Sequence, residues 1–166
     1  MNIAIVGATG NVGRKILEVL EKKELSVENV FLLASSKSEG SKINFKGKEH
    51  EVLNLKTFDF SKVKITFFAA GGKISEIFAE KAARDSIVID NSSFYRMDPD
   101  VPLIVPQVNS NHLNNNFCPA LLEDATKYNF SKGRFFFSNT SSVFLPTFPV
   151  APTIAIFIVL FSFYTR

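Results

Sequence analysis

Seven consecutive residues near the amino terminus, Gly7-Ala8-Thr9-Gly10-Asn11-Val12-Gly13, carry the clearest chemical signal in the sequence. Gly7 and Gly10 permit a tight turn and let main chain approach a pyrophosphate, and Gly13 lets a helix pack closely on a strand. The exposed helix start offers oriented N–H groups to a diphosphate. Gly7, Thr9, Gly10, Asn11, Val12 and Gly13 are therefore the expected cofactor-binding positions. The plain alternative is a glycine turn that merely joins a strand to a helix. A second signal is Leu33-Ala34-Ser35-Ser36-Lys37-Ser38, about 20 residues further on. NAD sites usually place an Asp or Glu there for the ribose hydroxyls, whereas a 2′-phosphate is repelled by a carboxylate and needs donors or a cation. Ser35, Lys37 and Ser38 point to NADP. Against this, Lys37 can be read as a solvated loop charge, and Glu39 beside it weakens the field.

The elements that must position these residues are legible as short apolar runs. Ile3 to Val6, Val30 to Leu33, Ile65 to Ala69 and Ile87 to Ile89 read as strands. Val12, Ile16, Val19 and Leu20 share one helical face, and a second helix carries Ile74, Ile77, Phe78 and Ala82. Buried strands alternating with helices predict an α/β fold, a Rossmann-like, doubly wound and mainly parallel sheet. A strand pair is expected around Ile43 to Val52, and another strand over Val101 to Val105.

With 166 residues and 46% hydrophobic content the chain can bury one normal core. Its 19 basic and 16 acidic side chains are mixed along the sequence, without the basic stripe that nucleic acid requires. The single cysteine, Cys118, excludes an internal disulfide, and no His/Cys spacing suits a metal. The chain opens on a strand pattern without an export signal, so the expected location is cytoplasmic. Charge is uneven, however. All acidic residues lie at or before Asp124, and Phe135 to Thr165 is uncharged with eight of the 18 phenylalanines. We therefore expect a nucleotide-binding domain over residues 1–133 and an atypical, irregular hydrophobic tail over residues 134–166.

The chain resembles the aspartate-semialdehyde dehydrogenase family. The likeness runs through the glycine turn, Leu33-Ala34-Ser35-Ser36-Lys37-Ser38-Glu39-Gly40, Phe67-Phe68-Ala69-Ala70-Gly71-Gly72, then Val88-Ile89-Asp90-Asn91-Ser92-Ser93-Phe94-Tyr95-Arg96 to Leu103, and Val105-Pro106-Gln107-Val108-Asn109. N-acetyl-glutamyl-phosphate reductases are near rivals, but the stretch containing Arg96 speaks against them. The resemblance implies a two-domain, usually oligomeric enzyme of amino-acid biosynthesis that reduces aspartyl phosphate to the semialdehyde with NADPH, through a cysteine thioester. Arg96 falls where the family binds the substrate's phosphate, with Asn91 beside it, and a guanidinium forks well onto phosphate oxygens. Its other reading is an ion pair with Asp98 or Asp100. Ala70 and Gly71, at a strand end, let the nicotinamide side of the cofactor come close.

The likeness stops where the family's nucleophile motif, Asn-Pro-Asn-Cys-Ser-Thr-Ile, is expected. Cys118 lies in Asn116-Phe117-Cys118-Pro119, with different neighbours, and reads as a small apolar side chain or an exposed thiol. A faint echo, Phe148-Pro149-Val150-Ala151-Pro152-Thr153-Ile154, places Ala151 at the nucleophile's position. No catalytic residue is thus assigned, and the chain alone is expected to be inactive. Three readings of the tail stay open: a frame-shifted or unspliced product, a remnant of the family's post-cysteine helix, or a membrane segment that its prolines disfavour. Two functional readings follow. One is the NADP-binding part of such a dehydrogenase, with a catalytic and dimerisation domain or homologous subunit as partner; the other is a non-catalytic nucleotide-binding or subunit-associating module.

Overall fold

The computed structural model describes residues 1–22, 27–99, 101 and 103. The expected boundary near Gly133, the uncharged tail, Cys118 and most of the strand expected over residues 101–105 lie outside the described residues. Six strands form one sheet: β1 (Asn2–Val6), β2 (Asn29–Ala34), β3 (Lys42–Phe45), β4 (Lys48–Asn54), β5 (Ile65–Phe68) and β6 (Ile87–Asp90). Two helices, α1 (Asn11–Lys22) and α2 (Gly72–Ala83), accompany them. The spatial order is β3-β4-β2-β1-β5-β6, and every neighbouring pair is parallel except the β3/β4 hairpin.

Strand β1 lies between β2 and β5, with helices on both sheet faces, so its side chains are buried in either direction. Ile3 and Ile5 pack with Ile16, Leu17 and Leu20 of α1, whereas Ala4 and Val6 face the opposite core with Phe68, Ala79, Ala82 and Val88. This is why the strand reads as an apolar run rather than an alternation. Helix α1 buries Ile16 and Leu20 of the expected face together with Gly13 and Leu17, while Val12 and Val19 are half-buried. Helix α2 keeps most of its expected face, with Ala82 buried and Ile74 and Phe78 packed against the core, and departs from it at Ile77. Ser75, Ala79, Ala82 and Ala83 are buried, while Ile77 is 64% exposed. Small side chains at Ser75, Ala79, Ala82 and Ala83 let this helix approach the sheet, with Ile74 and Phe78 packed at the flank.

The connection from β2 to the parallel β4 contains no helix. Strand β3 itself runs back along the sheet edge and returns through a two-residue turn at Lys46 and Gly47, both with positive φ, 51° and 75°. Such a turn matches the right-handed twist of the flanking strands. The strand pair expected around Ile43 to Val52 is this hairpin. Among the described residues no helix is long and apolar enough to cross a membrane, and no group of side chains is placed to hold a metal ion.

Candidate nucleotide site

The order of the sheet reverses between β1 and β5, and a crevice opens beyond their carboxyl ends, as parallel sheets of this topology require. It has a volume of about 380 Å³ and is walled by the glycine turn, Ser35 after β2, Asn54 to Lys56 after β4, Ala70 after β5, and Ile74 and Phe78 of α2. A more open hollow of about 500 Å³ lies at the other end of the strands, among Lys62, Lys64, Arg84 and Asp85. The strand-end crevice is the better candidate, because only there do a glycine turn, a helix start and apolar walls converge.

The glycine turn is built by main-chain contacts. Gly7 has φ 84°, and its N–H donates to the Leu33 carbonyl at 2.8 Å; the N–H of Gly10 donates to the Gly7 carbonyl at 3.0 Å. A Cβ on Gly7 would lie 2.8 Å from the main chain of Ala69, so β1 and β5 close together only over a glycine. A Cβ on Gly13 would collide with the Gly7 carbonyl oxygen and stand 2.7 Å from the Ala8 Cα. Gly13 thus seats α1 against the end of β1. Gly10 differs, since a Cβ there meets only the Gly7 oxygen, at 3.3 Å, and otherwise open space. The turn leaves room for a ligand above it, and the site fits a dinucleotide.

The predicted positions distribute as follows. Gly7, Thr9, Gly10, Ser35 and Ala70 line the crevice. Asn11, Val12 and Gly13 form the first turn of α1. Lys37 and Ser38 lie in the turn after β2, with Lys37 exposed and the Ser38 N–H donating to the Ser35 carbonyl at 2.9 Å. Gly71, with φ 85°, caps the start of α2 without a side-chain bond. Asn91 follows β6, and its N–H donates to the Phe68 carbonyl at 3.0 Å, which sets it one strand beyond Ala70. Arg96 is half-buried. Its Nε donates to the Ser92 carbonyl at 3.2 Å and its Nη2 to the Asn91 carbonyl at 3.5 Å. The loop bearing it is anchored by the buried Asp90, whose two carboxylate oxygens accept from the N–H of Ser92 at 2.7 Å and its hydroxyl at 2.8 Å. Tyr95 packs under the same loop, where burial foremost, then the Glu80 carboxylate, pushes its phenol's pKa up.

Asn54 and Lys56 are crevice residues that the sequence reading did not single out. Register explains their presence, because Asn54 pairs with Ala34 across β2 and β4. Asn54 Oδ1 accepts from the Lys56 N–H at 3.0 Å, and its Nδ2 donates to Glu39 Oε2 at 2.9 Å. No described residue lining the crevice is acidic.

A family model, semialdehyde dehydrogenase, NAD binding domain, matches residues 2–116. The aspartate-semialdehyde dehydrogenase of Aquifex aeolicus is 53% identical over 109 residues, 64% of this chain and 32% of that protein. Aspartate-semialdehyde dehydrogenase 2 of Vibrio cholerae is 50% identical over 109 residues, 65% of this chain and 32% of that one. The crystal structure of aspartate semialdehyde dehydrogenase II complexed with ASA from Vibrio cholerae superposes with a TM-score of 0.64 at 50% identity, covering 66% of this chain and 36% of that one. A Candida albicans aspartate semialdehyde dehydrogenase structure with NADP, at 24% identity and TM-score 0.64, covers 95% of this chain and 42% of that one and shares the fold. The chain spans about a third of the length of the curated relatives it matches.

Proposed function

The chain belongs to the semialdehyde dehydrogenase NAD-binding domain family, and from that premise we propose that it binds NADP(H) in preference to NAD(H), as the nucleotide-binding part of an aspartate-semialdehyde dehydrogenase acting in the cytoplasm. The observation that carries the preference is the wall of the crevice, where Ser35 and Lys56 stand at the ends of β2 and β4 and, among the described residues, no acidic side chain lines the space. A 2′-phosphate is attracted to hydroxyl donors and a cation and repelled by a carboxylate.

In this reading the main chain around Gly7, Thr9 and Gly10 and the first turn of α1, from Asn11 through Val12 to Gly13, hold the pyrophosphate. Ser35, Lys37, Ser38 and Lys56 serve the 2′-phosphate end, and Val6, Leu55, Ile74 and Phe78 supply apolar surface for a base. Ala70 and Gly71 leave space on the nicotinamide side. The bound nucleotide supplies hydride transfer. Arg96 and Asn91 serve a substrate phosphate. The two carbonyls that Arg96 contacts fix its guanidinium beside the end of β6, so orientation is set before an anion arrives.

Calorimetric titration of the 166-residue chain with NADP and with NAD tests the preference. We expect tighter binding of NADP, and an alanine at Lys37 or at Lys56 should weaken it by about 1 kcal/mol, several-fold, with little effect on NAD. Equal affinities for the two nucleotides would overturn the assignment.

A further inference from the structure

A carboxylate that does not belong in an NADP site lies one hydrogen bond behind the crevice wall: Glu39 does not line the space but meets Asn54, which does. Glu39 lies in the loop that follows Ser35, close to where a nicotinamide dinucleotide site selective for NAD keeps its acid. The loop is pinned to the sheet, because the Gly40 N–H donates to the Val52 carbonyl at 2.9 Å and the Val52 N–H to the Ser41 carbonyl at 2.8 Å. The main chain beside Glu39 is therefore fixed, and the direction of its side chain matters.

Asn54 sets that direction. Its amide has two ends, and both are used in a way that fixes their identity. The Lys56 N–H needs an acceptor, so Oδ1 must face it, at 3.0 Å. Nδ2 is then the end that meets Glu39, as a donor to Oε2 at 2.9 Å. One side chain thus holds the neighbouring acid while it caps the short turn that presents Lys56.

We propose that Asn54 is the positioning residue for nucleotide selectivity: it draws the Glu39 carboxylate aside and thereby keeps the 2′-phosphate position free of negative charge. The inference rests on the NADP reading above. Released from Asn54, Glu39 reaches a conformational range that includes the ribose, where it repels a 2′-phosphate and accepts from ribose hydroxyls. Neither Glu39 nor Asn54 alone determines the outcome; their hydrogen bond does.

The test is a double-mutant cycle on the full chain, with dissociation constants for NADP and NAD measured by calorimetry for wild type, Asn54→Ala, Glu39→Gln and the double variant. Asn54→Ala should weaken NADP about five- to tenfold while NAD is unchanged or tightened, the size of one unit of negative charge brought near a partly solvated phosphate. Glu39→Gln should leave NADP affinity at or slightly above the wild-type level. In the double variant the ratio of the two affinities should return to that of Glu39→Gln alone, an outcome that a merely structural role for Asn54 does not produce. If Asn54→Ala fails to fold, Asn54→Thr replaces it, since its oxygen can still cap the Lys56 turn but its shorter side chain cannot reach Glu39. An unchanged affinity ratio in the Asn54 variant, or a loss of NADP affinity that persists in the double variant, overturns the inference. Failure of the wild-type chain to bind either nucleotide overturns instead the nucleotide reading on which it stands.

Discussion

At the scale of single residues, the three glycines of the turn make different demands, and these separate folding from binding. Gly7 takes a left-handed φ of 84° against the Ala69 main chain, and Gly13 has no room for a methyl group beside the Gly7 carbonyl. Both neighbours are main chain just beyond the ends of the central strands β1 and β5, and neither yields easily. Gly13→Ala should cost about 2 kcal/mol or more in stability. Gly10 carries no such burden, for its φ is not left-handed and its Cβ direction is largely open. Gly10→Ala should melt within a few degrees of wild type yet bind NADP on the order of tenfold more weakly, because the methyl group occupies space that phosphate oxygens need. Thermal melts and titrations of both variants check this. Equal loss of stability in the two would show that Gly10 serves the fold rather than the ligand. Sequence spacing revealed all three glycines as a group, but not this division of labour, which depends on what lies opposite each Cα.

At the scale of elements, what was legible in the sequence was what the sheet enforces along a single strand. Strand β1, β2 and their intervening helix α1 follow from local pattern, since each apolar run is buried on both faces and the helix has one wide apolar stripe. Helix α2 was legible as a helix, and its facing in part. Of Ile74, Ile77, Phe78 and Ala82, Ile77 alone turns outward, while Ser75 and Ala79, too small to stand out in the sequence, complete the close approach to β5 and β6. Likewise Asn54 and Lys56 carry no motif of their own; pairing of β4 with β2, a contact between distant segments, brings them to the crevice. Outside the crevice, α1 carries a charge triad in which Glu18 accepts from Lys15 at 2.8 Å and from Lys22 at 2.7 Å. The Lys15 bond first, and the Lys22 bond next, hold the Glu18 carboxyl at about 2 rather than its ordinary 4.5. The folded value is depressed, so the contribution is full above pH 4.5 and is lost as pH falls toward 2. All three side chains are solvated, so the effect is small and weakens with salt. Melting temperatures across that pH range should fall less steeply for Glu18→Gln than for wild type. Parallel curves would remove Glu18 from the acid response.

At the scale of the whole molecule, binding a nucleotide and using it are separate capacities, and the chain carries the residues for the first. The crevice needs only main chain at the glycine turn, the ends of β2, β4 and β5, and one wall of α2, all within the described fold. Aldehyde oxidation needs more, because hydride leaves the carbon only after a nucleophile has made it tetrahedral, with a base in reach. The sequence contains one thiol, Cys118, between Phe117 and Pro119, and offers it no motif of an activated cysteine. We therefore expect the 166-residue chain, supplied with aspartate semialdehyde, phosphate and saturating NADP, to form no NADPH above background. The control belongs in the same sample: NADP at a hundred times its dissociation constant should stabilise the fold by about 2.7 kcal/mol, so a raised melting temperature shows that the assayed protein is folded and loaded. Cys118→Ser should then change neither the melt nor the absent turnover. Phosphate-dependent NADPH formation that disappears in Cys118→Ser would instead make Cys118 the nucleophile. It would show that its base is supplied by residues beyond those that form the crevice.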